Sequence, residues 1–163
     1  MTGRGIDQIL PHPGDPQIRE PYVVSANHYV TLAEAINGPI PRPVAFDYIW
    51  GEALVELAHI QPDARIINLE TSITESRTLW PKGINYRMNP ANGPCISAAR
   101  IDVCSLANNH VLDCRYPGLE DTIETLKHSH IALAGAGRDA TGAQAPAIKD
   151  IAGRGRIIVF GFG

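Results

Sequence analysis

Arg65-Ile66-Ile67-Asn68-Leu69-Glu70 and, further along, Ile101-Asp102-Val103-Cys104-Ser105-Leu106-Ala107-Asn108-Asn109-His110-Val111-Leu112-Asp113 are the two stretches that decide the fold. Each opens on a short apolar run and closes on a group of polar residues. Runs of this length predict buried strands over residues 65–69 and 101–106. Between them, Asn89-Pro90 reads as an N-cap with proline at the first helical position, opening a helix to about residue 100. Beyond them, Leu119, Ile123 and Leu126 share one face of a helix predicted over residues 117–130, with Glu120 and Asp121 in its first turn. A third strand is expected over residues 131–134 and a fourth over 156–162. Upstream, Ile49, Ala53, Leu54, Leu57 and Ala58 recur at helical spacing, so residues 47–59 read as a helix ending before Pro62. Strands alternating with helices give an α/β fold with a mostly parallel sheet.

Two segments fall outside this alternation. Residues 1–45 hold seven of the prolines, from Pro11 to Pro43, and predict an irregular surface excursion with a short extended piece at residues 22–25. Residues 71–90 are polar and read as a loop. The 163 residues suit one domain with a real core. With 14 basic and 17 acidic side chains the net charge is −3, which excludes a strongly basic nucleic-acid binder. No apolar run is long enough to span a bilayer and the N-terminus has no apolar signal core, so a cytoplasmic chain is expected. Cys95, Cys104 and Cys114 form no CxxC pair and read as plain buried thiols. Gly135-Ala136-Gly137-Arg138-Asp139-Ala140 fits GxGxxA, but Pro146 limits any following helix, so a turn of small residues is the better account. Trp50 and Trp80 read as anchors, and Asn27-His28 as surface.

Ligands of open α/β sheets sit at the carboxyl ends of the strands. Period two puts Asn68 and Glu70 on one side of the first strand, with Leu69 turned away. The second strand delivers Asn108, Asn109, His110 and Asp113 to the same edge. Oxygen and nitrogen donors without thiolate suit Mn, Mg, Fe or Zn, and such a mixture fits metal-assisted hydrolysis. The bland reading is that Asn and Asp after a strand are turn formers.

Three blocks carry a resemblance: Asn68-Leu69-Glu70-Thr71, Lys82-Gly83-Ile84-Asn85-Tyr86-Arg87-Met88, and the run from Ser105 to Asp113. Their order and spacing, continued by Gly135-Ala136-Gly137 and Ala145-Pro146, resemble the CapA family of capsule, or poly-gamma-glutamate, synthesis proteins. The resemblance implies an αββα sandwich of the metallo-dependent phosphatase type, the calcineurin-like metallophosphoesterase fold, with two divalent ions between strand ends. It implies Glu70 and Asn109 as metal ligands, His110 as the catalytic acid or transition-state stabiliser, and Asn68 and Asn108 as neighbours orienting them. Asp113 either fixes the His110 ring, as a second catalytic residue, or is a turn carboxylate. Lys82, Tyr86 and Arg87 either bind an anionic small-molecule or polymer substrate or form a solvated basic loop.

The opening Met1-Thr2-Gly3-Arg4-Gly5-Ile6-Asp7 resembles the segment just after the family's first Gly-Asp motif, and the family's later histidine motifs have no counterpart. The expectation is therefore a partial domain over residues 1–163, truncated at both ends. Such a fragment would bind metal weakly and self-associate through unpaired strands. An envelope location would follow if the absent ends carried an anchor. The competing expectation is a non-catalytic product or interaction module with the same half-fold.

Overall fold

The computed structural model describes residues 2–163. In chain order the elements are α1 (Asn27–Asn37), α2 (Ala53–Ile60), β1 (Ile66–Asn68), β2 (Ser72–Ile73), β3 (Arg87–Met88), α3 (Pro94–Ala98), β4 (Val103–Ser105), α4 (Arg115–His128), β5 (Ala132–Ala134), α5 (Ala140–Gln144), β6 (Ala147–Ile151) and β7 (Gly155–Val159). Short 3-10 turns at Tyr48–Trp50 and Pro90–Asn92 precede α2 and α3. The class is α/β with a parallel sheet. Strands β1, β4 and β5 form that sheet in the order β1-β4-β5, and β2 pairs with β3 in a second parallel contact.

Local chemistry explains most of the boundaries. Asn89 caps the turn before α3, its side-chain oxygen accepting from Ala91 N at 2.9 Å, with Pro90 at the first position. The predicted helix over 47–59 is broken at Gly51, which adopts φ 51°, so only its second half is α-helical. Helix α4 turns Leu119, Ile123 and Leu126 into the core, where Ile73, Met88, Ile96 and Cys104 also lie. It is tied to β2 by Thr122, whose hydroxyl accepts from Ile73 N at 2.8 Å. Trp50 donates its indole N–H to the Cys95 carbonyl at 2.7 Å, anchoring its turn to α3.

Four expectations need correction. The first strand is not buried: β1 is an edge of the sheet, with Ile66 and Asn68 exposed. Residues 1–45 are not a surface excursion throughout. Ile9 and Leu10 are core residues, and buried Asp7 accepts hydrogen bonds from Gly14 N, Asn89 N and Asn92 Nδ2. Helix α1 also lies here; Val30 is its one buried residue, while its apolar Leu32 and Ile36 are exposed. The loop over 71–90 contains β2 and β3, each two residues long. The fourth strand does not extend the parallel sheet: β7 pairs antiparallel with β6, Ile148 opposite Ile158, around a turn at Gly153. Too few residues separate β6 from β7 for a crossover. The GxGxxA stretch is a turn, as expected. Gly135 adopts φ 83° against Ala107 and Gly161, where a Cβ would meet Ala107 Cβ at 2.5 Å.

Candidate functional site

The parallel register places Asn68 level with Ser105, so β1 and β4 end together. Leu69 N donates to the Ser105 carbonyl at 2.9 Å, carrying the pairing one residue past the strand. Side chains then continue the ladder. Asn68 Nδ2 donates to Glu70 Oε1 at 2.9 Å. Asn108 Nδ2 donates to Asn68 Oδ1 at 3.0 Å and to the Leu69 carbonyl at 3.1 Å. Asn108 Oδ1 accepts from His110 N at 2.9 Å. One hydrogen-bonded path thus runs from Glu70 across both strand ends to His110. The two carboxamides serve as connectors, because an amide can donate and accept at once.

Behind this edge lies Asp113, with no exposed surface. Its Oδ2 accepts from His110 Nδ1 at 2.8 Å and from Tyr86 N at 2.6 Å, and its Oδ1 is paired with Lys82 Nζ. A carboxylate only accepts, so Nδ1 of His110 carries the proton and Nε2 is left as the free ring nitrogen. Lys82 also donates to the Asn109 carbonyl at 2.7 Å, and its Nζ lies 3.4 Å from His110 Nδ1. The Tyr86 ring covers the imidazole, centroid to centroid 4.1 Å. The loop between β2 and β3 and the turn after β4 are therefore locked together through one buried carboxylate.

With strand ends, carboxamide frame and His–Asp pair in place, the chain can be set beside known proteins. Residues 1–163 match the family model for the bacterial capsule synthesis protein PGA_cap. The chain belongs to that family. Two relatives, both described as probable polyglutamine synthesis accessory proteins of Mycobacterium tuberculosis (strains CDC 1551 / Oshkosh and ATCC 25618 / H37Rv), are 48% identical to it over 160 residues. That alignment covers 98% of this chain and 42% of each relative, so the chain spans under half the length of the curated relatives it matches.

In this PGA_cap chain the sequence-derived residues fall into three groups. Asn68, Glu70, Asn108, His110 and Asp113 are joined by the contacts above, and Asn109 stands exposed beside them. Lys82 and Tyr86 pack against His110 and Asp113, Lys82 through its partly exposed ammonium. Arg87 leaves the group: its guanidinium donates to the backbone carbonyls of Ser76 at 2.9 Å and Asp15 at 3.1 Å, tying β3 to the N-terminal segment. Arg4 was missed, and its guanidinium carbon lies over the Tyr86 ring, 5.3 Å from the centroid. No local signal links two residues so far apart in sequence.

The donor set decides what the edge can hold. Glu70 and Asn109 offer oxygen donors suited to a hard divalent ion, which can complete its shell with water. Among the described residues no group of three or more His, Cys, Asp and Glu side chains is placed to hold an ion. Asp113 is already engaged by Lys82, His110 and Tyr86, the last two on its Oδ2. Glu70 and Asn109 therefore remain as the oxygen donors at this edge. The cysteines take no part: all three are buried free thiols, with burial pushing Cys95 and Cys104 up to about 12 and Cys114 to about 11. The open cleft of about 580 Å³ bounded by Leu57, Arg65 and Asp102 lies at the opposite, amino ends of β1 and β4, away from this chemistry. Among the described residues no helix is long and apolar enough to cross a membrane.

Proposed function

We propose that this chain carries one part of a metal-dependent site acting in poly-gamma-glutamate or capsule synthesis, as a hydrolase or transferase on an anionic small molecule or polymer. Its parallel sheet is then part of an αββα sandwich of the metallo-dependent phosphatase type. The observation that carries the reading is the unbroken path Glu70–Asn68–Asn108–His110–Asp113 over two level strand ends. The descriptions of the family and of the two relatives support the polymer-synthesis setting.

Glu70 and Asn109 are the residues that would hold a divalent ion, and a second ion would draw its donors from the length of the relatives outside the match. When bound, such ions supply Lewis acidity and positive charge. The chain's own residues do the rest. His110 Nε2 gives or takes a proton at the substrate. Asp113 fixes the tautomer that leaves Nε2 available and stabilises the ring when it is doubly protonated. Asn68 and Asn108 hold Glu70 and the His110 backbone in register. The proposal places the protein in the cytoplasm, or at the envelope where an anchor lies outside this stretch.

Calorimetric titration with manganese chloride tests the reading. Weak one-site binding, abolished by Glu70→Ala, is expected, with no turnover of a generic phosphodiester by this chain alone. Binding that survives Glu70→Ala would overturn it. The second reading, a non-catalytic accessory module, is favoured by the small donor set, and a complete absence of manganese binding would select it.

A further inference from the structure

The Arg4 side chain is held in an unusual way. Its residue adopts φ 56°, in the left-handed region that non-glycine residues rarely occupy. Its backbone N donates to the Arg87 carbonyl at 3.3 Å, and Gly3 beside it lies so close that a Cβ would meet the same carbonyl oxygen at 2.5 Å. The N-terminal segment is thereby pinned to β3 one residue from Tyr86. The guanidinium carbon sits 4.1 Å from the centroid of Tyr29 and 5.3 Å from that of Tyr86. Its Nη2 is bound to Glu20 Oε2 and to the Tyr29 hydroxyl, and that hydroxyl donates to the same Glu20 oxygen at 2.6 Å. Both members of the Arg4–Glu20 pair are almost fully buried, with side chains 12% and 9% exposed.

Tyr86 is therefore a ring in contact with two planar groups. The guanidinium carbon of Arg4 lies over it at 5.3 Å, and the imidazole of His110 packs on it at 4.1 Å. Its backbone N–H is meanwhile fixed to Asp113. A guanidinium packs flat on an aromatic face in a way an ammonium does not. We infer that Arg4, clamped by Glu20 and Tyr29, is a positioning residue for the candidate site: through Tyr86 it sets the orientation of the His110 ring. The N-terminal segment thus belongs to the site's supporting shell. The inference deepens the functional reading by naming what holds its acid–base group.

The test reads the imidazole directly, on the full chain without metal. At pH 9, where an ordinary histidine is neutral, the His110 ring proton signal is assigned by its loss in His110→Gln. Tyr86→Leu removes the stacked ring and moves that signal downfield. Arg4→Met moves it in the same direction by at least half as much, Arg4→Lys by less, and the exposed neighbour substitution Arg19→Met not at all. The signals of His59 on α2 and His128 on α4 stay in place and report an intact fold. If Arg4→Met disturbs those two signals as well, Glu20→Gln, which keeps Arg4 but loosens its clamp, decides, with the same downfield shift expected. An unmoved His110 signal in Arg4→Met with the fold intact overturns the inference, as does an unmoved signal in Glu20→Gln or in Tyr86→Leu. Because no metal enters the measurement, its failure is distinct from a failure of manganese binding.

Discussion

Asp113 gathers more of the site than any other side chain: an imidazole, an ammonium and a backbone N–H converge on its two oxygens. Removing one partner of a buried charged pair costs about 3–5 kcal/mol. Lys82 is 27% exposed and can turn its charge toward water. Asp113→Asn is therefore expected to lower stability by only about 2–3 kcal/mol in urea unfolding, while freeing the His110 ring to flip. The carboxylate lies within hydrogen-bond reach of the ring, Oδ2 to Nδ1 2.8 Å. The cysteines make a residue-scale prediction of a different kind. Their folded pKa values lie above the ordinary 9.0 because burial disfavours the thiolate. An unfolded chain loses these protons first as pH rises, so it binds fewer protons than the folded one between about 9 and the folded values of about 11 to 12. Stability from this source is complete below pH 9 and declines across that window. Melting temperature should fall from pH 9 to 11 more steeply than in a Cys104→Ala variant, and native protein at pH 8 should resist thiol reagents.

Elements are joined here by single polar contacts as well as by packing. Thr122 is fully inside α4, accepts from Ile73 N and donates to the Gly118 carbonyl at 2.6 Å. Thr122→Val keeps the shape but leaves a buried backbone N–H without an acceptor. The expected cost is about 1–3 kcal/mol, with faster hydrogen exchange at the Ile73 amide as its direct signature. What the sequence revealed at this scale follows the physics of each element. Strands β1 and β4 were legible because apolar runs ended in polar clusters, and α4 because Leu119, Ile123 and Leu126 kept their period. Helix α1 was not, because the prolines on either side of it mask the helical spacing of Tyr29, Leu32, Ala33 and Ile36. Strands β2 and β3 were not either, because two-residue strands are defined by a partner that no local pattern announces. The candidate edge was legible through Asn68, Glu70, Asn108 and His110, which follow directly on their strands. The fates of Arg87 and Arg4 were not, because their partners come from distant parts of the chain.

Across the whole molecule, the apolar surface is unevenly covered. The hairpin of β6 and β7 packs Ala147 and Val159 against Val103 and Ala134, while Ile148, Ile158, Phe160 and Phe162 all remain at least half exposed. Ile148 and Ile158 are cross-strand partners, and Phe160 and Phe162, just after β7, stack on each other with centroids 6.3 Å apart. Exposed apolar surface beside unpaired strand edges promotes association. Sizing chromatography is expected to show concentration-dependent larger species, and Ile158→Lys combined with Phe162→Lys should return the protein to a monomer. A single monomeric peak for the native chain at every concentration would count against this.

Lys82 answers the charge of Asp113 from within the protein, and the same ammonium is bound to the Asn109 carbonyl. A cation neutralised at contact distance projects almost no field beyond the Debye length, about 8 Å at physiological ionic strength. Encounter with a negatively charged chain would therefore gain little long-range steering from this lysine, and adding sodium chloride should barely slow it.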